Sequence, residues 1–141
     1  MADSKATTTW RGDLQSGAGR VSTDSGVLRD TEVSWKTRTD REEGTSPEEL
    51  LAAAHSSCFS MQLSAFLAKD GTPAEEIETT ATVSFVVGQG ITKILLEVRG
   101  HVPGCDQAKF VDLAEQAKSG CPVSKALASV PSMEVRAKLL V

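Results

Sequence analysis

Gly44-Thr45-Ser46-Pro47-Glu48-Glu49-Leu50-Leu51-Ala52-Ala53-Ala54-His55-Ser56-Ser57-Cys58-Phe59-Ser60-Met61-Gln62-Leu63-Ser64-Ala65-Phe66-Leu67-Ala68-Lys69-Asp70, residues 44–70, is the stretch on which the fold turns. Both ends carry helix signals. Ser46 is an N-cap residue, Pro47 suits the first turn because its missing N–H would be unpaired anyway, and Glu49 stands where a capping-box acid returns to the cap. Lys69 favours the negative pole, Gly71 can take the left-handed position after the helix, and Pro73 blocks continuation. Between these ends the residues are apolar almost all round, which predicts a long helix buried on most sides. His55, Ser56, Ser57, Gln62 and Ser64 interrupt the apolar run and argue for a core helix rather than a membrane span.

The rest of the chain is ordinary in bulk. Its 141 residues suggest one domain, 1–141, divided into N-terminal strands (1–43), a central helix (44–72) and a hairpin, helices and final strand (73–141). Net charge is −4 and no lysine- or arginine-rich run exists, so nothing points to nucleic acid. Residues 1–9 lack an apolar signal segment, which makes the cytosol the expected location, with no membrane attachment. In that compartment three cysteines, Cys58, Cys105 and Cys121, point to redox chemistry, metal or inert thiols rather than a structural disulfide.

Upstream of the helix, 7–14 and 17–23 read as strands. Residues 27–38 alternate, with Val33, Trp35 and Thr37 on one face, and read as a third strand. Residues 39–44 form a charged loop. Downstream, Val83, Phe85 and Val87, then Ile94, Leu96 and Val98, mark the two strands of a hairpin around Gly88-Gln89-Gly90. Phe110, Leu113, Ala114 and Ala117 recur at helical spacing with Asp106 as cap. Cys121 stands at the N-cap of a further helix whose first residue is Pro122. Met133, Val135, Ala137 and Leu139 alternate in a last strand. The order is that of an α+β protein, with antiparallel sheets around a long buried central helix. A helix so apolar needs more cover than this chain offers, and a homodimer with central helices near a two-fold axis would supply it.

Cys58 is the first candidate for chemistry. An arbitrary helical cysteine is more often a small buried hydrophobe. Here small and polar neighbours (His55, Ser56, Ser57) suggest close approach by something else, and a second thiol stands at a helix start. A thiol of ordinary pKa is only about 3% ionised at neutral pH. Cys58 is three turns into its helix, beyond reach of the N-terminal dipole, so a cation must lower its pKa. Arg38, Arg41 and Arg20 lie upstream. Cys121, at its N-cap, has the dipole on its side and could equally be the attacking thiol. Cys105 reads as a bystander. Glu49 is expected to be occupied by the cap, leaving Glu48 to pair with an arginine; Glu48 precedes Cys58 by about 15 Å of helix and should not touch it directly. His55-x-x-Cys58 and His101-x-x-x-Cys105 resemble zinc half-sites only loosely, and His55 reads better as a packed or hydrogen-bonded core histidine.

These residues resemble the OsmC/Ohr family of thiol peroxidases. The resemblance rests on 44–61 as quoted above and on Ser119-Gly120-Cys121-Pro122-Val123-Ser124, with support from Trp10-Arg11-Gly12-Asp13, Val21-Ser22-Thr23-Asp24-Ser25-Gly26-Val27-Leu28 and Val102-Pro103-Gly104. The OsmC branch is the closer. Ser46 stands where Asn is usual, and Cys105 is extra. The resemblance implies an intertwined homodimer with active sites at the subunit interface, no metal or haem cofactor, and reduction of organic hydroperoxides in preference to hydrogen peroxide. It assigns Cys58 as the peroxidatic and Cys121 as the resolving cysteine. It gives Glu48 the task of holding the catalytic arginine, which by the OsmC pattern is Arg38, with Arg20, the position of the Ohr pattern, as second choice.

The implied cycle runs through a Cys58 sulfenic acid and a Cys58–Cys121 disulfide, reduced by a dithiol such as a dihydrolipoyl group on a carrier protein. Phe59, Met61 and Leu51 would favour a peroxide with an alkyl tail. The alternative is a non-catalytic ligand-binding module on the same fold with inactive thiols.

Overall fold

The computed structural model describes residues 1–40 and 43–140. Arg41, one of the candidate cations, and Glu42 of the charged loop lie outside the described residues. The chain divides into two compact units, Met1–Leu50 and Leu51–Val141.

The first unit is a three-stranded antiparallel meander, β1 (Ala6–Arg11), β2 (Ala18–Thr23) and β3 (Thr31–Val33), in that order. It is followed by a short helix α1 (Trp35–Thr39) where the alternation of 27–38 predicted continuing strand. The reason is local. Ser34 and Thr37 form a reciprocal cap: Ser34 Oγ accepts from the Thr37 N–H at 3.1 Å, and Thr37 Oγ1 accepts from the Ser34 N–H at 2.8 Å. Two backbone donors satisfied in this way outweigh the strand preference of three alternating side chains.

The long helix α2 (Pro47–Lys69) begins and ends where its punctuation indicates. The Glu49 N–H donates to Ser46 Oγ at 3.1 Å. At the other end Gly71 takes φ +89°, and the N–H groups of Thr72 and Gly71 donate to the carbonyls of Leu67 and Ala68. That crossed pair of bonds is the Schellman closure a left-handed glycine allows.

The second unit packs α2 against a sheet of β4 (Glu76–Val86), β5 (Gly90–His101) and β6 (Ser132–Leu140). β4 and β5 form the expected hairpin, whereas β6 pairs with β5 in parallel, so this sheet is mixed rather than wholly antiparallel. A parallel return needs a crossover, and α3 (Gln107–Gly120) and α4 (Pro122–Ala126) provide it. The core joins Phe59, Leu63 and Leu67 of α2, Ile94, Leu96 and Val98 of β5, and Phe110, Leu113, Ala114 and Ala117 of α3. Each large side chain fully removed from water here is worth about 2 kcal/mol.

Within the single chain, α2 is buried along one stripe, His55, Phe59, Leu63 and Leu67, while Ala53, Ala54, Met61 and Ala65 are exposed. Length and composition alone would let α2 cross a bilayer, since its mean hydropathy reaches 1.2. Its interrupting polar residues are therefore not what excludes a span; the buried stripe in a mixed α/β core is what makes it a core helix.

Candidate active site

Two pairs of candidate residues come together, one in each unit. In the first unit, Arg38 sits on the last turn of α1 and Glu48 on the first turn of α2. Arg38 Nη2 donates to Glu48 Oε1 at 2.8 Å, and Nε reaches both carboxylate oxygens at 3.1 and 3.2 Å. The Glu48 side chain is 7% exposed and that of Arg38 29%. This two-pronged bond fixes the plane of the guanidinium as well as its place. Arg20, on β2, instead faces Glu32 at 3.7 Å with both side chains about half exposed, a geometry of small value in water.

Glu49 behaves differently from expectation. Its carboxylate accepts from Thr45 Oγ1 at 2.7 Å rather than from the Ser46 N–H. Thr45 offers a hydroxyl one turn back, and a side-chain donor reaches more easily than the cap's own backbone. The separation of tasks still holds, since Glu49 is occupied locally and Glu48 takes the arginine.

In the second unit, Cys58 in the middle of α2 and Cys121 at the α3–α4 junction are free thiols close enough for each to affect the other's ionisation. Cys121 is fully buried, while Cys58 is half-buried. Burial pushes the Cys58 thiol up, the N–H of Val123 pulls it partly back, and the neighbouring Cys121 adds to the rise. Burial also pushes Cys121 up, but the Ser124 N–H, the Cys58 thiol, the Ser124 hydroxyl and the Val123 N–H together bring it below its ordinary value. The first turn of α4 therefore favours the anion on Cys121, although its side chain makes no cap hydrogen bond. The sulfur that small molecules can reach is the other one. A reachable thiol therefore stands beside a buried one whose anion is favoured, an arrangement able to close a disulfide.

His55 lies one turn before Cys58, is fully buried, and bonds Ser124 through Nε2 at 2.7 Å. It is the hydrogen-bonded core histidine anticipated above. Ser124 is the residue that sequence reasoning missed as an individual. Its signal was its place three residues after Cys121, at the start of a helix opened by Pro122.

Phe59 is fully buried in the core and cannot line a substrate pocket, whereas Met61 is 73% exposed and Leu51 half-buried. Cys105 stays apart from the thiol pair, its Sγ donating to the Asp106 carbonyl at 3.4 Å.

Residues 39–136 match the family of OsmC-like proteins. The chain is 44% identical to peroxiredoxin OsmC of Escherichia coli (strain K12) over 132 residues, 92% of each chain. It is 33% identical to the organic hydroperoxide resistance protein of Xanthomonas axonopodis pv. citri (strain 306), covering 71% of this chain and 75% of that one. Among solved structures, the organic hydroperoxide resistance protein OhrB of Bacillus subtilis superposes with a TM-score of 0.64 at 28% identity, covering 96% and 98% of the two chains. A family match across most of the chain, with the thiol pair inside it, makes this protein a member of the OsmC-like family.

Proposed function

We propose that this protein is a cysteine-based peroxidase that reduces organic hydroperoxides to alcohols at the expense of a thiol reductant, in defence against oxidative stress. The observation that carries this reading is the adjacency of a half-buried Cys58 and a buried, more acidic Cys121. It is supported by relatives named for peroxiredoxin activity and hydroperoxide resistance.

Cys58 is the peroxidatic residue, because a fully buried thiol cannot meet a peroxide. Its thiolate attacks the distal oxygen of the hydroperoxide, the O–O bond breaks, and the alkoxide leaves as alcohol after taking a proton. Cys58 is then a sulfenic acid. Cys121 attacks its sulfur, the S–O bond breaks, and hydroxide leaves as water. A dithiol restores both thiols by exchange and is itself oxidised to a disulfide. Burial disfavours a Cys58 anion, so a positive charge is required, and we assign it to Arg38 with Glu48 orienting the guanidinium.

The exposed face of α2 suits a second copy of the chain, so the active form is read as a homodimer. The reductant is read as a dihydrolipoyl group on a carrier protein, and the working compartment as the reducing cytosol. The test is turnover of cumene hydroperoxide with a dithiol. Cys58→Ser should abolish it, and retained activity in that variant would sink the assignment.

A further inference from the structure

His55 is a buried titratable group with no part in the cycle just described, yet it touches that cycle's machinery through one atom. Nε2 and Ser124 Oγ are 2.7 Å apart, joining two residues 69 positions distant in sequence. The other ring nitrogen, Nδ1, is buried and meets no partner among the described residues. Ser124 is buried in the first turn of α4, three residues after Cys121, where its N–H and hydroxyl both favour the anion on that sulfur. The line His55–Ser124–Cys121–Cys58 therefore runs through a single compact unit.

The proton positions along this line follow from what each arrangement leaves unpaired. Burial holds His55 below its usual pKa, so the ring is neutral and carries one N–H. Were that N–H on Nδ1, a buried donor would be stranded, and Ser124 would spend its hydroxyl proton on Nε2. With the N–H on Nε2, only a lone pair is stranded, the less costly orphan. Ser124 Oγ then accepts from His55, and its own proton is free for another acceptor. The candidate is the sulfur of Cys121, three residues back, whose anion the Ser124 hydroxyl favours.

We propose that His55 is a positioning residue for the resolving step: it donates to Ser124 Oγ and so turns the Ser124 hydroxyl proton toward the Cys121 sulfur, holding the thiolate that attacks Cys58. This rests on the peroxidase reading above. No net proton moves through the serine. The S–S bond forms, the S–O bond of the Cys58 sulfenic acid breaks, and hydroxide departs as water with the proton that Cys121 has given up. A neutral histidine serves better here than a charged one, because it orients the serine without a buried charge of its own.

The test isolates Cys121. Cys58 is the neighbouring thiol that affects its ionisation, so a Cys58→Ser, Cys105→Ala background leaves one thiol to titrate, followed by thiolate ultraviolet absorbance against pH. Ser124→Ala and His55→Phe in that background should each lower the thiolate population at neutral pH by roughly ten-fold, the effect of losing one hydrogen bond to an anion. His55→Gln, whose side-chain amide keeps a donor for Ser124, should restore most of it.

With all cysteines present, disulfide formation after one equivalent of cumene hydroperoxide should slow to a similar extent in Ser124→Ala and His55→Phe. An unchanged Cys121 titration in folded Ser124→Ala overturns the proposal, as does His55→Gln matching a folded His55→Phe. If His55→Phe does not fold, His55→Ala takes its place in the comparison with His55→Gln, and an unchanged titration in Ser124→Ala still overturns the proposal. Failure of wild-type Cys58 to be oxidised by hydroperoxide would overturn the peroxidase reading instead, and the Cys121 titration would still decide the role of His55.

Discussion

Arg38 Nη2 and Glu48 Oε1 are 2.8 Å apart, and the carboxylate is the more buried of the two. A guanidinium gripped on two nitrogens is held in plane, which a single contact would not achieve. Arg38→Ala should reduce kcat/KM for cumene hydroperoxide by about a hundred-fold, the scale of losing one charge stabiliser. Arg38→Lys keeps the charge but not the fork and should recover only part of the rate. Glu48→Gln should cost about ten-fold through misplacement alone. Equal activity in Arg38→Lys and wild type would show that charge suffices and orientation does not matter.

Cys121→Ser separates the two halves of the cycle. One equivalent of hydroperoxide should be consumed, leaving Cys58 as a trappable sulfenic acid with no disulfide, and turnover should then stall. Mass mapping of the non-reduced protein reads this directly. The extra thiol, Cys105, is apart from the pair, and Cys105→Ala should leave the wild-type disulfide intact. A Cys58–Cys105 bridge in the wild type would contradict that.

The face of α2 carrying Met61, with Ala53, Ala54 and Ala65, predicts association of two chains. Met61→Asp sets a charge in what would be an apolar interface and should shift the protein to monomers by sedimentation. Hydroperoxide turnover should fall with it. A wild-type monomer with full activity would remove the homodimer from the reading.

What the sequence made legible followed from how local the controlling physics was. The limits of α2 were readable because Ser46, Pro47 and Gly71 act within a turn of themselves. The pairing of Glu48 with an arginine was readable because Glu49, one residue on, is occupied locally. The helix at Trp35–Thr39 was missed because Ser34-x-x-Thr37 is a weaker cap pattern than one ending in Glu, and Val33, Trp35 and Thr37 mimic a strand. The parallel return of β6 depends on a crossover of two helices, which no residue of β6 announces. His55 with Ser124 is a pairing across 69 positions, and nothing local to either residue encodes it.

Gly44 tests how tightly the Arg38–Glu48 pair is tied to the backbone beneath it. Its φ is +121°, and a Cβ there would stand 2.5 Å from the Glu32 carbonyl oxygen. That same oxygen accepts the Thr45 N–H at 2.9 Å, the bond that leads into α2. Gly44→Ala should therefore destabilise the protein by about 1–3 kcal/mol in urea unfolding. It should also lower peroxidase activity more than a distant substitution of equal cost, because the approach to Glu48 moves. Unchanged stability would mean the loop can relax away from Glu32.

Stability should also fall on mild acidification, with a sign that His55 sets. Burial lowers its folded-state pKa below the usual 6.5, so the unfolded chain binds a proton that the native one refuses. Below about pH 7, down to the depressed folded value, the unfolded state holds more protons, and the linkage slope makes unfolding easier as pH falls. The contribution is complete above 6.5 and is lost as pH drops toward the depressed folded value. His55→Gln has nothing to protonate there and should flatten this part of the profile, while being less stable than wild type at neutral pH if the glutamine packs less well. Urea midpoints across this range in both proteins measure the effect. A wild-type profile as flat as that of His55→Gln would mean that His55 accepts its proton in the native state, and then the neutral ring that turns Ser124 toward Cys121 could not persist at mildly acidic pH.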